Sequence, residues 1–218
     1  MLFRSPDVRV KICGLRDSAG IEAAAKAGAA YVGFVFFPKS PRHVSLSKAC
    51  KLADMARGKS EIVAVTVDMD PDGLSRIREL VNPDIFQFHG SEAPEALAAA
   101  KVMQGTKVMK ALSVADREDL ERAHYYSIVA DWILFDAKPP KGSELPGGNG
   151  VSYDWTLLKD LELNKPFLLS GGLDPVNVAD AIRQSGVSAV DVSSGVEREK
   201  GVKDSELIRA FMAAARSA

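Results

Sequence analysis

The stretch from Pro166 to Glu197 reads PFLLSGGLDPVNVADAIRQSGVSAVDVSSGVE. It contains a short apolar run, a Ser-Gly-Gly turn, an Asp-Pro pair that can start a helix, and a segment with helical spacing over 176–184. A second, largely apolar run follows and ends in Ser-Ser-Gly. Continuous rather than alternating apolar runs are typical of parallel strands that helices cover. The stretch therefore predicts a strand–helix–strand unit of an α/β fold.

The same alternation extends through the rest of the chain. Helical spacing recurs over 18–27, 45–57, 94–100 and 204–216. Strand-like runs begin near Arg9, Tyr31, Glu61, Ile85, Lys107, Trp132, Pro166 and Ala189. About eight such units predict a (β/α)8 TIM barrel that forms a single domain over residues 1–218. The alternative is an open doubly wound sheet, which is disfavoured because no Gly-rich dinucleotide fingerprint follows the first strand.

Composition and charge narrow the possible partners. Hydrophobic residues make up 46% of the chain and charged residues 26%, with a net charge of −1 and a pI of about 6.3. No overall positive field attracts nucleic acid or an anionic membrane, so we expect neither as a partner. The sequence shows no signal peptide and no apolar run near ~20 residues. Cys13 ends a predicted strand and Cys50 lies in a predicted helix, so we expect no disulfide and a cytoplasmic protein. Two cysteines and three histidines are too few to favour a metal site.

The C-terminal ends of the strands meet around one mouth in such a barrel, where active sites lie. The predicted strand ends carry Cys13, Phe36, Asp68, His89, Lys110, Asp136, and the runs 170–172 and 193–195. Gly171 and Gly172 follow strand seven, and Ser193, Ser194 and Gly195 follow strand eight. Glycines let the backbone approach a ligand, and hydroxyl groups can donate to it. Loops after these two strands commonly bind phosphate, so we predict a phosphorylated small-molecule ligand.

Cys13 and Asp136 are the candidates for chemistry at this mouth. Taken alone, Cys13 is more often a small buried apolar side chain than a catalyst. Together with Asp136 across a phosphate-binding mouth, it suggests proton transfer at a sugar. A nucleophilic cysteine would need a histidine partner, and His89 is the one candidate, with no oxyanion motif beside it. Lys11, two residues before Cys13, is predicted to face the same side and to favour the thiolate.

The segment 137–151 that follows the sixth strand is longer than an ordinary strand–helix loop and rich in Pro and Gly. Its place among the active-site loops favours a lid, and a surface insertion is the alternative.

The helix faces give no clear signal of the oligomeric state. We expect a monomer, with a homodimer as the alternative.

Seven motifs in chain order resemble those of the phosphoribosylanthranilate isomerases. They are KICGLRD (11–17), FPKSPRHVS (37–45), QFHGSE (87–92), LFDAKPP (134–140), GGNGVSYDW (147–155), LSGGLDPVNV (169–178) and DVSSGVE (191–197). Because they run from the first strand to the last, the resemblance covers almost the whole chain. It implies the same (β/α)8 barrel that the strand pattern predicts.

The resemblance also implies a reaction, the Amadori rearrangement of N-(5-phosphoribosyl)anthranilate to 1-(o-carboxyphenylamino)-1-deoxyribulose 5-phosphate in tryptophan biosynthesis, without a cofactor. Cys13 matches the general base of the family and Asp136 its general acid. Arg42 matches the group that pairs with the anthranilate carboxylate, and His89 matches a position at the mouth. The glycines and serines of the last two loops match the phosphate site.

Two positions depart from the family pattern: Arg16, where Thr is commoner, and Asn149, where Ser or Thr is usual.

Other phosphate-binding barrels are alternatives. A sugar-phosphate epimerase would need metal-binding histidines, and an indole-glycerol-phosphate synthase would need a Lys–Glu set. A histidine-pathway isomerase would need two Asp residues, and Asp68 is the second strand-end Asp available for that role. A non-catalytic phosphate-binding module would have no use for Cys13 and Asp136 facing each other.

Overall fold

Eight parallel strands close into a barrel in the computed structural model, which describes residues 8–140, 142–143 and 145–218. They are β1 (Arg9–Cys13), β2 (Tyr31–Phe36), β3 (Glu61–Thr66), β4 (Ile85–Phe88), β5 (Lys107–Val114), β6 (Trp132–Ala137), β7 (Phe167–Leu169) and β8 (Ala189–Val192). Strand β1 pairs with β2 on one side and with β8 on the other, where Arg9 lies opposite Ala189. This closure confirms the predicted (β/α)8 barrel. The open sheet is wrong because it would leave two edge strands.

Seven α-helices surround the barrel in the described part of the chain. They are α1 (Ser18–Lys26), α2 (Leu46–Ala56), α3 (Pro71–Val81), α4 (Pro94–Gln104), α5 (Arg117–Ser127), α6 (Val178–Ser185) and α7 (Ser205–Arg216). Side-chain caps start several of them: the Asp70 carboxylate accepts the N–H of Gly73 at 2.7 Å, and Pro71 fills the first turn. Between β6 and β7 the described residues form a 3-10 turn, Trp155–Leu158, instead of a helix. The prolines and glycines of the preceding segment disfavour helix there.

Side chains alternate along each strand between the barrel interior and the layer beneath the helices. The larger apolar cluster lies in that outer layer, where the strands pack against the helices. A smaller cluster fills the interior and includes Tyr31, Val63, Ile85, Met109 and Leu134. The same alternation turns Lys11 and Cys13 of β1 and Asp191 of β8 into the barrel, where all three are buried.

The chain beyond β8 returns to the barrel mouth before the last helix. An antiparallel hairpin of β9 (Glu197–Glu199) and β10 (Val202–Lys203) leads into α7. The hairpin places the buried side chains of Glu197 and Lys203 beside the last strand ends. Among the described helices, none has the length and apolar character that crossing a membrane requires.

Candidate active site

A pocket opens at the C-terminal ends of the strands and is called the mouth pocket below. Its lining includes all but one of the site residues predicted from the sequence: Cys13, Arg42, His89, Asp136, Gly171, Gly172, Ser193 and Ser194. Gly195 is the exception, because it lies behind the wall in the 3-10 turn Ser194–Val196. Any Cβ at this position would collide with the carbonyl oxygen of Leu173. Gly195 therefore allows two loop backbones to pack closely.

Cys13 ends β1 with its side chain in the mouth pocket and is only 7% exposed. Burial raises the pKa of its thiol above the usual value of about 9. The Lys11 ammonium lowers this pKa, the Asp191 carboxylate raises it, and Lys203 lowers it. The substrate-free thiol is therefore protonated at neutral pH, with two nearby cations that favour the thiolate.

Lys11 lies inside the barrel on the same side of β1 as Cys13, as the sequence predicted. Its Nζ donates a hydrogen bond of 2.8 Å to Asp191 Oδ1, and neither side chain is open to solvent. Burial lowers the pKa of Lys11, but the Asp191 and Cys13 charges raise it further, so the net shift is upward. Lys11 therefore stays an ammonium beside the thiol. Asp191 Oδ2 also accepts the hydroxyl of Ser170, which ties this ion pair to the end of β7.

Asp136 is buried on β6 and faces the same pocket. Its Oδ1 accepts the N–H of Ala137 at 2.9 Å, and its Oδ2 lies 3.4 Å from His89 Nε2. Gly147 covers this pair, since a Cβ there would collide with Asp136 Oδ2 and with the His89 ring. The carboxyl group is thus held between a backbone amide, an imidazole and a loop.

Arg42 is engaged by a buried carboxylate that the sequence did not predict. Its Nε and Nη2 donate to the two carboxylate oxygens of Glu197 at 2.7 and 3.0 Å, and Nη2 also donates to the carbonyl of Gly148 at 3.3 Å. Glu197 Oε1 further accepts Lys203 Nζ at 2.7 Å. Burial raises the pKa of Glu197, but the hydrogen bonds and charges of Arg42 and Lys203 bring it down to about 2. The cluster is a carboxylate between two cations, with net charge +1.

Glu197 fixes the orientation of the Arg42 guanidinium. Nη1 donates to no other residue in the described ranges, so its N–H groups remain for a ligand carboxylate. Glu197 holds the guanidinium of Arg42 in place through two hydrogen bonds. Lys203 contributes a second positive charge beside Glu197, so the carboxylate does not cancel the positive charge of the cluster.

The loops after β7 and β8 form another wall of the mouth pocket. Gly171 and Gly172 have φ of +93° and +64°, a left-handed region that favours glycine. Within the described chain, the N–H groups of Gly172, Ser194 and Gly195 donate to no other residue, as suits an anion site. Ser193 is partly committed, because its hydroxyl donates to the Cys13 carbonyl at 3.2 Å and accepts Lys203 Nζ at 3.3 Å.

The predicted lid segment, 137–151, forms a third wall. Its residues from Leu145 to Val151 line the mouth pocket, and residues 141 and 144 lie outside the described residues. This segment therefore covers the site, and its closing motion stays a prediction.

Arg16 and Asn149, the two departures from the family pattern, have local partners. Arg16 Nη1 donates to the Pro41 carbonyl at 2.6 Å, which places it outside the pocket lining but against the loop that carries Arg42. Asn149 lines the pocket, and its Nδ2 donates to the Leu145 carbonyl at 3.2 Å. Both side chains support loops, and neither contacts Cys13 or Asp136 among the hydrogen bonds of the described residues.

Three buried charged residues at this site, Asp191, Glu197 and Lys203, were missed by the sequence reasoning. Asp191 was detectable, because alternation along β8 places it inside the barrel like Lys11 and Cys13 on β1. Glu197 and Lys203 belong to the hairpin beyond β8, whose short strands have no periodic signal. Their role depends on contacts with residues far away in the chain.

Comparison with known proteins gives the family of this chain. Residues 10–214 match the family model described as N-(5'-phosphoribosyl)anthranilate (PRA) isomerase. The isomerase of that name from Rhizobium meliloti is 51% identical over 209 residues, 96% of this chain and 97% of the relative. A crystal structure of phosphoribosyl anthranilate isomerase with reduced 1-(o-carboxyphenylamino)-1-deoxyribulose 5-phosphate is 34% identical, with a TM-score of 0.82 and coverage of 97% and 100%. Monomers generated from the dimeric Thermotoga maritima enzyme are 35% identical, with a TM-score of 0.81 and the same coverage. The chain therefore belongs to the N-(5'-phosphoribosyl)anthranilate isomerase family.

Proposed function

We propose that this chain performs the isomerisation of N-(5'-phosphoribosyl)anthranilate in tryptophan biosynthesis by general acid–base catalysis, with Cys13 as the base and Asp136 as the acid. The observation that carries the proposal is their placement. Both are buried and face one pocket, which also receives the two loops after β7 and β8 and the Arg42 guanidinium. The free backbone amides of these loops and the cationic Arg42 cluster suit a substrate with a phosphate and a carboxylate.

The steps follow from the substrate's chemistry. Asp136 donates a proton to the furanose ring oxygen, and the bond from this oxygen to C1 breaks to give a protonated Schiff base. The positive nitrogen acidifies the C2 proton, which the Cys13 thiolate removes. The resulting enolamine gains a proton at C1 and loses the proton of its C2 hydroxyl, which yields the ketone. Protons balance, and no electron acceptor is required.

The two anionic groups of the substrate have separate partners in the pocket. The free amide N–H groups of Gly172 and Ser194, which both line the pocket, suit a phosphate, because each neutral donor strengthens the hold on an anion. Arg42 Nη1 and the net positive charge of its cluster suit the anthranilate carboxylate. The solved relative holds a reduced analogue of the product with both of these groups. The Thermotoga maritima relative is described as a dimer from which monomers were generated, so our expectation of a monomer for this chain stays a prediction.

Growth of a tryptophan auxotroph that lacks this step, together with turnover of the purified protein followed by the fluorescence of the anthranilate substrate, tests the function. We expect the chain to restore growth and to consume the substrate without added metal or cofactor. Failure of the folded protein in both assays would contradict the proposed function.

The raised pKa of the Cys13 thiol predicts a direct titration result. In the substrate-free protein, thiolate absorbance from Cys13 should appear with a midpoint above pH 9, because burial outweighs the nearby cations. Forming the thiolate at neutral pH therefore has a free-energy cost, because the thiol is the favoured form there. The Cys50→Ser variant isolates the signal of Cys13. A midpoint below 9 would show that Lys11 and Lys203 dominate instead.

Replacing Arg42 with lysine is expected to weaken substrate binding by about 10- to 100-fold, the range for losing a hydrogen bond between charged groups. Lysine retains a charge beside Glu197 but has no second arm for the substrate. KM should rise while kcat changes little. The matched control is a phosphoribosyl aniline without the carboxylate, which should bind both proteins alike. An unchanged KM with a collapsed kcat would argue against the carboxylate clamp.

A further inference from the structure

Gln87 lies at the centre of β4 and is turned into the barrel. Its neighbour Ile85, two residues earlier, belongs to the interior cluster, while Phe86 and Phe88 belong to the outer one. Gln87 is 1% exposed, and it lines the mouth pocket. In an eight-stranded barrel β4 lies across from β8, so Gln87 faces the pocket from the side opposite the Ser193–Ser194 loop.

The carboxamide oxygen of Gln87 is unsatisfied within the described residues. Its Oε1 is buried without a hydrogen-bond partner. Arg16, Tyr31, His43, Thr66 and Trp155 also have a buried unpartnered side-chain atom, but none of them lines the mouth pocket. A buried carboxamide oxygen without a partner is unfavourable, and the position of Gln87 at the pocket wall would allow a bound ligand to satisfy it.

We propose that Gln87 is a specificity-determining residue, whose carboxamide hydrogen-bonds the C3 hydroxyl of the ribose-derived chain. This inference rests on the proposed function and deepens it. The phosphate and the carboxylate have other partners, which leaves the hydroxyl-bearing middle of the substrate for Gln87. A hydroxyl both donates and accepts, so it complements either orientation of the carboxamide.

The reaction itself selects the C3 hydroxyl. The C2 oxygen starts as a hydroxyl and ends as the ketone, and the C4 oxygen starts as the ring ether. The C3 oxygen alone remains a hydroxyl in the substrate, the Schiff base, the enolamine and the product. A neutral amide with fixed geometry can hold it through every step, so the contact contributes equally to substrate and transition state and appears in KM rather than in kcat.

The test compares two ligands on three proteins. The ligands are the reduced product analogue and its 3-deoxy form, and the proteins are the unmodified chain, Gln87→Met and the control Gln104→Met. Gln104 is also a buried glutamine, but it lies on α4, outside the pocket, and donates to Ser75. The unmodified chain and Gln104→Met should bind the 3-deoxy ligand about tenfold more weakly, the effect of one hydrogen bond. Gln87→Met should bind both ligands within about threefold of each other.

Each outcome is decisive. Equal binding of the two ligands to the unmodified chain, or full discrimination retained by Gln87→Met, would overturn the role of Gln87. No binding of either ligand to the unmodified chain would instead count against the proposed function. Should Gln87→Met fold poorly, Gln87→Leu takes its place. Both variants should unfold at the same or a higher temperature without ligand, because an unpartnered amide is replaced by an apolar group.

Discussion

Replacing Cys13 with alanine should lower kcat/KM by about 10²- to 10⁴-fold, the range for a general base. Alanine cannot accept the C2 proton, and the neighbouring Lys11 and Asp191 are paired with each other. Binding should change little, because the phosphate loops and Arg42 are untouched. Fluorescence of the anthranilate substrate follows the loss, and the affinity for the reduced product analogue reports binding.

Cys50 is the matched control for this prediction. It lies half-buried on α2, away from the mouth pocket, so Cys50→Ala should turn over substrate within about twofold of the unmodified chain. Alkylation gives a second comparison: the product analogue should protect Cys13 and leave Cys50 unchanged. A loss of tenfold or less in Cys13→Ala, or modification of Cys13 at the same rate with and without the analogue, would refute its role as the base.

Asp136→Asn is expected to reduce kcat/KM to a similar extent, about 10²- to 10⁴-fold. Asparagine has the shape of the protonated acid and can still accept the N–H of Ala137, but it cannot deliver a proton to the ring oxygen. The loss should therefore fall on kcat, with binding of the product analogue retained. Single-turnover measurements separate the chemical step from product release.

Asp68 provides the control for the acid. Asp68 follows the end of β3 and has a φ of +46°. Its carboxylate accepts the N–H of Ser91 at 2.8 Å, and it lies outside the mouth pocket. Asn tolerates this conformation, so Asp68→Asn should keep turnover within about threefold. A large loss in Asp68→Asn together with a small one in Asp136→Asn would reverse the assignment of the acid.

The strand pattern predicted the barrel closely because each strand is a local feature. Seven of the predicted strand starts match the structure, and the eighth differs by one residue: β7 begins at Phe167 and not at Pro166, which has no N–H to donate to a ladder. Cys13, Asp136 and the loop residues then followed from the rule that strand ends converge. The segment between β6 and β7 was less predictable, because its prolines and glycines exclude a helix without specifying how the chain covers the pocket.

What the sequence alone determined is the fold and the set of side chains at the strand ends, since apolar periodicity and strand alternation depend on residues only a few positions apart. Closure of the barrel decided the rest. Only the folded chain brings Glu197 to Arg42, across 155 positions, and adds Lys203 from a hairpin with no periodic signal. In the folded chain Gly195 lies behind the pocket wall, and the Gln87 carboxamide oxygen lies inside the barrel without a hydrogen-bond partner. These contacts depend on distance in space, which a local pattern does not encode.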